Sequence, residues 1–451
     1  MPGTLADVVT RRKLFGAAGS TGIIAAGLTA CGPGAGTSGG QPPSGQPGGK
    51  VVLMSQGTDP ADQERYQPLV ETYNARGGPV TIELIQGDAA GGATGAQAKL
   101  IALTAAGTAP DVFWNHASVA PNLIKLRLLA PITPYVKRDK DFKLDSLFEA
   151  PIKNYEAQDV LYGLPREATT TIMVLNKELM QKNGVPMPSP SWTWDDFLKL
   201  VQQLTRDTGG ESTFGAAGWA GSGSAVYYPW IKVWQEGGDV VDSTRTKFTL
   251  HQSPAIEQVQ WIADLVTRHR VNPYGEAFPG RNLQEAWNAG RLGTVVQYSV
   301  YNTFNKAPFE WDIAPMPRGK SRSTRTASAG HSMTAGSKIK DAAWEVLKYL
   351  GSKPAYEHWA RLGLTLPAHK EVANGPLVLD PQLPPKSAKV ALEAFEYARA
   401  EPVSGDWTAV QSEIGKAMNE VFAGTAEART ALSAIAPTVE ALLSKTPESP
   451  A

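Results

Sequence analysis

The 451-residue chain carries 43 basic and 43 acidic side chains, so its formal charge is zero, and 42% of it is hydrophobic, with 12 tryptophans. A chain of this length can bury real cores and divides into two or three domain-sized units. The balanced charge, with no long block of one sign, excludes the basic surface that nucleic acid requires, and the single cysteine, Cys31, excludes a disulfide framework.

Thr10-Arg11-Arg12-Lys13-Leu14-Phe15 opens a weakly apolar run from Leu14 to Ala30, which ends in Leu28-Thr29-Ala30-Cys31. A positive start, a short apolar middle and small residues at a cut site describe an export signal. The paired arginines point to its twin-arginine variety. The run spans 17 residues and is broken by Gly16, Gly19, Gly22 and Gly27, too short and weakly apolar for an ordinary membrane anchor. Without Asp7, Arg11, Arg12 and Lys13 the remainder holds 40 basic and 42 acidic side chains. Residues 32–49 contain no large apolar side chain and read as a flexible Gly/Pro tether.

Order begins at Lys50. Val51-Val52-Leu53-Met54 predicts a buried strand, Tyr66, Leu69, Val70 and Tyr73 fall at helical spacing, and Val80-Thr81-Ile82-Glu83-Leu84 predicts the next strand. A helical run from Ala98 to Ala105 leads through Gly107 and Pro110 to a strand at Asp111-Val112-Phe113-Trp114. This is a βαβ start, hence an α/β unit with parallel strands. Thr193-Trp194-Asp195-Asp196 has capping-box form ahead of an apolar face at Phe197, Leu200, Val201 and Leu204. Trp230 and Trp234 stand four apart, so one helix face buries both. Gly293 to Tyr298 predicts a strand following a helix that carries Trp287. Asp341 is expected to cap a helix with Trp344, Leu347 and Leu350 inward, ended by Gly351, and Ser352 with Pro354 opens the next. Ala409 to Leu443 is helical by pattern. No internal repeat and no later apolar stretch of membrane length is present.

Two resemblances follow. Leu28-Thr29-Ala30-Cys31 resembles the lipobox of bacterial lipoproteins, which implies lipidation at Cys31 and anchoring to the outer face of the cell membrane. Gly107-Thr108-Ala109-Pro110-Asp111-Val112 resembles the Gly-x-x-Pro-Asp-Val signature of the extracellular solute-binding proteins of sugar-importing ABC transporters. Tyr162-Gly163-Leu164-Pro165, Leu175-Asn176-Lys177-Glu178-Leu179, Ser191-Trp192-Thr193-Trp194, Ala286 to Gly293, Ala342-Ala343-Trp344-Glu345 and Gly363 to Ala368 continue the series in order. Arg291 replaces the family's lysine and Gly293 its usual alanine. The resemblance implies a two-lobed, periplasmic-binding-protein-like fold of the second type, with a ligand cleft between hinged lobes. Lobe one would be 50–165 plus about 325–370 and lobe two 166–324, with helices from about 371 to 451 shared. It implies a sugar or oligosaccharide ligand, ABC permease subunits as partners, a monomer, no cofactor and no metal.

A sugar presents apolar C–H faces and a rim of hydroxyls, so its site needs aromatic planes and groups that both donate and accept. Trp114, with Asn115 and His116, follows a strand where a βα loop faces the crevice, and Gln56 and Thr58 follow the first strand likewise. Arg166 and Glu167 follow Pro165 at the first lobe crossing, with Thr169 close behind; they serve as a hinge ion pair or as hydroxyl contacts. Trp219, Tyr227 and Tyr228 flank a glycine–serine loop and are expected to form a stacking wall, while Trp234 is core. The resemblance adds Tyr298 and Tyr301 after the strand at 293, His331 where the chain returns to lobe one, and Trp407 at a helix start.

Catalysis finds no foothold: there is no Gly-x-Ser-x-Gly elbow, no His-Glu-x-x-His, and no thiol beyond Cys31. Six scattered histidines lack metal-ligand spacing. Gly91-Gly92-Ala93-Thr94-Gly95 lacks the Gly-Lys-Ser/Thr ending of a phosphate loop. The competing expectation is a receptor for a glycerophosphodiester, with Arg166 or His331 on the phosphate. A surface adhesin is the third.

Overall fold

The computed structural model describes residues 48–444, apart from 58–59, 88–91, 207–211, 221–225, 279–281, 299–303, 305–306 and positions 364, 381, 383, 403 and 405. The leader, Cys31, residues 32–47 of the tether, Thr58 and Tyr301 therefore lie outside the described residues, and Gly49, expected to end the tether, instead opens a strand. No helix among the described residues is long and apolar enough to cross a membrane.

The chain opens as β1 (Gly49–Met54), α1 (Pro60–Asn74), β2 (Val80–Ile85), α2 (Gly92–Ala105) and β3 (Val112–His116). β1 pairs in parallel with both β2 and β3, the arrangement the sequence predicts. Val51, Leu53, Val80, Ile82 and Val112 are buried on this sheet, covered by Tyr66, Leu69 and Val70 of α1. After β4 (Gly163–Pro165) the chain passes Arg166 into β5 (Glu167–Asn176), then α3 (Lys177–Lys182), α4 (Trp194–Leu204), β6 (Phe214–Ala217), α5 (Tyr228–Gln235) and α6 (Ala255–Thr267). α7 (Leu283–Asn288), β7 (Leu292–Tyr298), β8 (Trp311–Ala314), β9 (Thr324–Ala327) and β10 (Ala329–Met333) follow. The remainder is α8 (Lys340–Leu350), α9 (Lys353–Arg361), β11 (Leu366–Pro367), β12 (Ala398–Arg399), α10 (Trp407–Phe422) and α11 (Ala428–Leu443).

Two sheets result. The first runs β2-β1-β3-β10-β4, with β10 antiparallel to both neighbours. A Cβ on Gly330 would collide with the Leu164 carbonyl oxygen, so glycine is what lets β10 and β4 approach. The second runs β12-β9-β5-β7-β6, with β8 and β11 also pairing along β5. β5 thus carries four antiparallel partners along its length.

Side-chain caps account for some of the helix starts among the described residues. Thr193 Oγ1 accepts from the Asp196 N–H, and the Asp196 carboxylate accepts from the Thr193 N–H at 2.9 Å, the reciprocal box read from sequence. Phe197, Leu200, Val201 and Leu204 are buried as expected, as are Trp230 and Trp234. The expected cap at Asp341 is corrected: Ile339 occupies the N-cap, and Asp341 sits in the first turn, paired with Arg138 at 2.7 Å. An acidic residue there still favours the helix dipole. The tail is helical as read from its pattern, in two helices parted at Gly424, whose φ of 72° favours glycine.

Where the chain leaves the first sheet, a buried network fixes it. Arg166 donates to Glu167 Oε2 at 2.6 Å and to the Tyr66 hydroxyl at 3.1 Å, and its guanidinium lies 4.5 Å from the Trp359 ring centroid. Thr365 Oγ1 donates to the same Glu167 oxygen, and Tyr66 Oη shares a hydrogen bond with His331 Nε2 at 2.9 Å. Of the two readings left open, the ion pair between Arg166 and Glu167 is present.

Burial, reinforced by the Arg166 cation, holds His331 neutral, well below the ordinary imidazole range. Unfolded, the same ring takes up a proton near pH ~6.5. The unfolded state then binds more protons at low pH, so this contribution is complete above about pH 6.5 and is lost as pH falls. Each unit of depression corresponds to about 1.4 kcal/mol. Melting temperature should therefore fall from pH 7 to pH 5 more steeply in the wild type than in His331→Gln; equal slopes would refute a neutral, buried His331.

Candidate functional site

Open α/β sheets place ligands at the carboxyl ends of their strands. At that end of the first sheet, Gln56 is half-buried just past β1, and Trp114 and His116 close β3. Trp114 is 4% exposed, packs against Ala96 and Ala329, and its Nε1 has no hydrogen-bond partner among the described residues. The Ser118 backbone N–H donates to His116 Nδ1 at 3.1 Å, which places the proton of the neutral ring on Nε2. Burial holds this imidazole below its usual range; Glu401 opposes that effect and Arg325 adds to it, so the ring lies within electrostatic reach of both. Asn115 points the other way. Its Nδ2 donates to Ser332 Oγ and its carbonyl accepts from the Tyr155 hydroxyl, which gives it a structural position away from the aromatic cluster.

The opposing wall is built by β7, α5, β9 and the start of α10. Arg325, on β9, pairs with Glu401, and both are buried. Arg325 also donates to the Tyr298 hydroxyl, and its guanidinium carbon lies 4.3 Å from the Tyr227 ring centroid and 4.9 Å from that of Tyr298. Glu401 Oε2 accepts from Trp407 Nε1 at 3.1 Å and Gln411 Nε2 at 2.9 Å. Burial works against the Arg325 cation, but Glu401, Tyr298 and Tyr227 hold it protonated. Burial, aided by the Glu401 charge, pushes the Tyr227 hydroxyl well up, so it stays a neutral donor. Behind this layer Trp230 meets Tyr227 edge-on at 5.1 Å and Trp407 at 6.1 Å, and the Tyr228 hydroxyl donates to Gln297 Oε1 at 3.2 Å.

The arrangement joins half-buried aromatic planes, Tyr227 and Tyr298, to a buried pair that can hold their hydroxyl edges in place. It brings Tyr227, Tyr228, Tyr298 and Trp407 together, with His116 beside Trp114 within electrostatic reach. Trp219 is fully buried against Trp194, Phe197 and Tyr228 and belongs to the core of that wall. Tyr228 and Trp407 are each 2% exposed and stand behind the wall's face. His331 and Glu167 belong to the Arg166 network, and Thr169 Oγ1 donates to the Ala327 carbonyl. Arg325 and Glu401 escaped the sequence reading. The signal available was an arginine inside the small and β-branched run Ser323 to Ala329, whose partner lies 76 residues on.

Residues 57–357 match the family described as bacterial extracellular solute-binding protein. The galactooligosaccharide-binding protein of Bacillus subtilis is 23% identical over 356 residues, covering 74% of this chain and 77% of its own. Among solved structures, an ABC substrate-binding protein of Listeria monocytogenes in complex with cycloalternan superposes with a TM-score of 0.75 at 20% identity, covering 87% of this chain and 97% of its own. UgpB of Mycobacterium tuberculosis in complex with glycerophosphocholine superposes at 0.74 and 17% identity, covering 88% and 99%. These likenesses give the two-lobed fold, and the match over 57–357 gives the family: the chain belongs to the bacterial extracellular solute-binding proteins.

Proposed function

We propose that this chain is the substrate-binding lipoprotein of an ABC importer, capturing an extracellular sugar or oligosaccharide by lobe closure and delivering it to the permease. The observation that carries the reading is the cluster of Tyr227 and Tyr298 around the Arg325–Glu401 pair. Half-exposed tyrosine planes suit the C–H faces of a pyranose. Their hydroxyls, with His116 Nε2 and Trp114 Nε1, suit its rim. Gln56, half-buried just past β1, is assigned to the same site, and Thr58 and Tyr301 belong to it on sequence grounds. Lobe one is 50–165 plus about 325–370, and lobe two 166–324, with the C-terminal helices shared. The relatives' printed ligands, galactooligosaccharide and cycloalternan, support an oligosaccharide.

The charge balance favours a neutral ligand. A glycerophosphodiester needs an unspent cation, yet Arg166 is paired with Glu167, Arg325 is paired with Glu401, and His331 is neutral. Ligand contact with both walls shifts the population toward the closed form, which the permease receives. The chain itself hydrolyses nothing; a separate ATPase drives import. Lipidation at Cys31 and the tether to residue 49 hold a monomeric receptor at the outer face of the membrane.

A thermal-shift screen against mono-, di- and oligosaccharides and glycerophosphodiesters should give hits among the sugars; hits confined to phosphates would overturn the reading. By calorimetry, Tyr227→Ala and Tyr298→Ala should each weaken the sugar hit by at least about tenfold, or ~1.4 kcal/mol. Unchanged affinity in both would remove this site. Arg325→Met leaves a buried carboxylate unpaired and should cost about 3–5 kcal/mol of stability in urea unfolding. Trp407→Ala, at a core position, should cost a similar ~3–5 kcal/mol, whereas a surface role for either residue would leave the midpoint unmoved.

A further inference from the structure

Lobe one carries a cavity at the end of its sheet opposite Trp114 and His116. It encloses about 530 Å3 and is lined in part by Tyr73, Arg76, Val80, Lys348, Tyr349 and Ser352. Val80 opens β2 and lies in register with Gly49, the first residue of β1, whereas Trp114 and His116 stand at the carboxyl end of the parallel strand β3. The six residues of β1 separate the two ends by about 17 Å of strand.

Two of the cavity's hydrogen-bonding side chains, Arg76 and Ser352, are unspent among the described residues, whereas the Tyr349 hydroxyl donates to the Leu69 carbonyl at 2.9 Å. Arg76 is exposed, and its guanidinium carbon lies 4.4 Å from the Tyr349 ring centroid and 5.4 Å from that of Tyr73. Among the described residues no hydrogen bond or ion pair engages its side chain, so all five N–H donors remain available. Ser352 stands at the N-cap of α9 without capping it, and its buried Oγ has no partner. Lys348 is already tied to Asp139 at 2.8 Å and to Glu345, which also lines the cavity, at 3.3 Å, so among the described residues Arg76 is the cavity's one cation without an acidic partner. Donors on several sides and one free cation suit an oxyanion with three or more acceptor atoms better than a carboxylate with two. The volume exceeds a bare oxyanion and falls in the range of small-ligand sites. Pro79, Val80 and Pro354 offer an apolar wall to an ester arm.

We propose that this cavity binds the phosphate group of an organic phosphate ester, with Arg76 as its principal donor and Ser352 Oγ as a second. Two sources present that chemistry, a soluble ester and the headgroup of an anionic phospholipid. The cavity flanks the residue at which the tether enters the fold. The site is separate from the proposed sugar cleft and does not depend on it.

The test compares the full chain with its Arg76→Gln variant. Calorimetry with sn-glycerol 3-phosphate should give binding that Arg76→Gln weakens by at least about tenfold, while the affinity of each for the best sugar from the screen stays equal. Co-sedimentation with phosphatidylglycerol and phosphatidylcholine vesicles separates the sources, since any affinity of the leader for lipid cancels between the two proteins. Greater retention of the wild type on phosphatidylglycerol alone, without heat from the free ester, assigns a headgroup; heat without that difference assigns a soluble ester. Equal behaviour of the two proteins toward both probes, or no binding by the wild type, overturns the proposal. Arg76 is exposed, so equal melting temperatures should show that the variant folds.

Discussion

The second sheet is hung on β5. Nine of its ten residues are buried, and it is hydrogen-bonded to β11 and β9 over its first half and to β7 and β8 over its second. A strand paired along its whole length cannot slip by one residue without turning every side chain to the opposite face. That rigidity has a polar cost, because Thr169, Thr170 and Thr171 are buried within it. Thr169 and Thr170 meet that cost by donating to the carbonyls of Ala327 and Ala391. The hydroxyls thereby tie β5 to two segments far away in sequence, and β-branched threonine suits the strand besides.

The chain also uses one electrostatic device twice. At the entry to β5, Arg166 pairs with Glu167 over the face of Trp359; on β9, Arg325 pairs with Glu401 over Tyr227 and Tyr298. A buried guanidinium is tolerable only when its charge is matched and its donors are satisfied. Aromatic faces suit the flat, weakly hydrated cation on its remaining side. Each of these buried cations is thus matched by a carboxylate of its own. A neutral, hydroxylated ligand then loses little when it enters, while an anion would have to separate an established pair.

Much of the fold was legible because its signals are local. The βαβ start, the Thr193–Asp196 box and the apolar face that follows depend on residues within one or two turns of each other. What failed depended on distance. Trp114 and Asn115 are neighbours on β3, but strand alternation sends Asn115 to Ser332, and no composition rule says which of two adjacent polar-capable residues will face the crevice. Arg325 and Glu401 meet only because β12 adds to β9, a pairing of two residues on each strand. Trp219 looked like wall because a glycine–serine loop follows it; the aromatic cluster of Trp194, Phe197 and Tyr228 absorbed it instead. Asp341 was misjudged by two positions, within the ordinary slack of a helix boundary.

The tryptophans and tyrosines divide the labour. Trp194, Trp219, Trp230 and Trp407 are buried and meet their neighbours edge to face, a geometry favoured by the ring quadrupoles. Tyr227 and Tyr298 sit in front of that frame, half-buried, each held by the same guanidinium. A ring with a tryptophan edge at 5.1 Å behind it and a cation over it has few rotamers left to lose. With these rings as the proposed ligand wall, binding spends little on ordering them, since that ordering was completed on folding. The energy of contact is left to move the equilibrium between open and closed lobes, and only contacts that differ between those states can do so. A wall assembled by the ligand would have consumed the same energy in side-chain ordering and left less for closure.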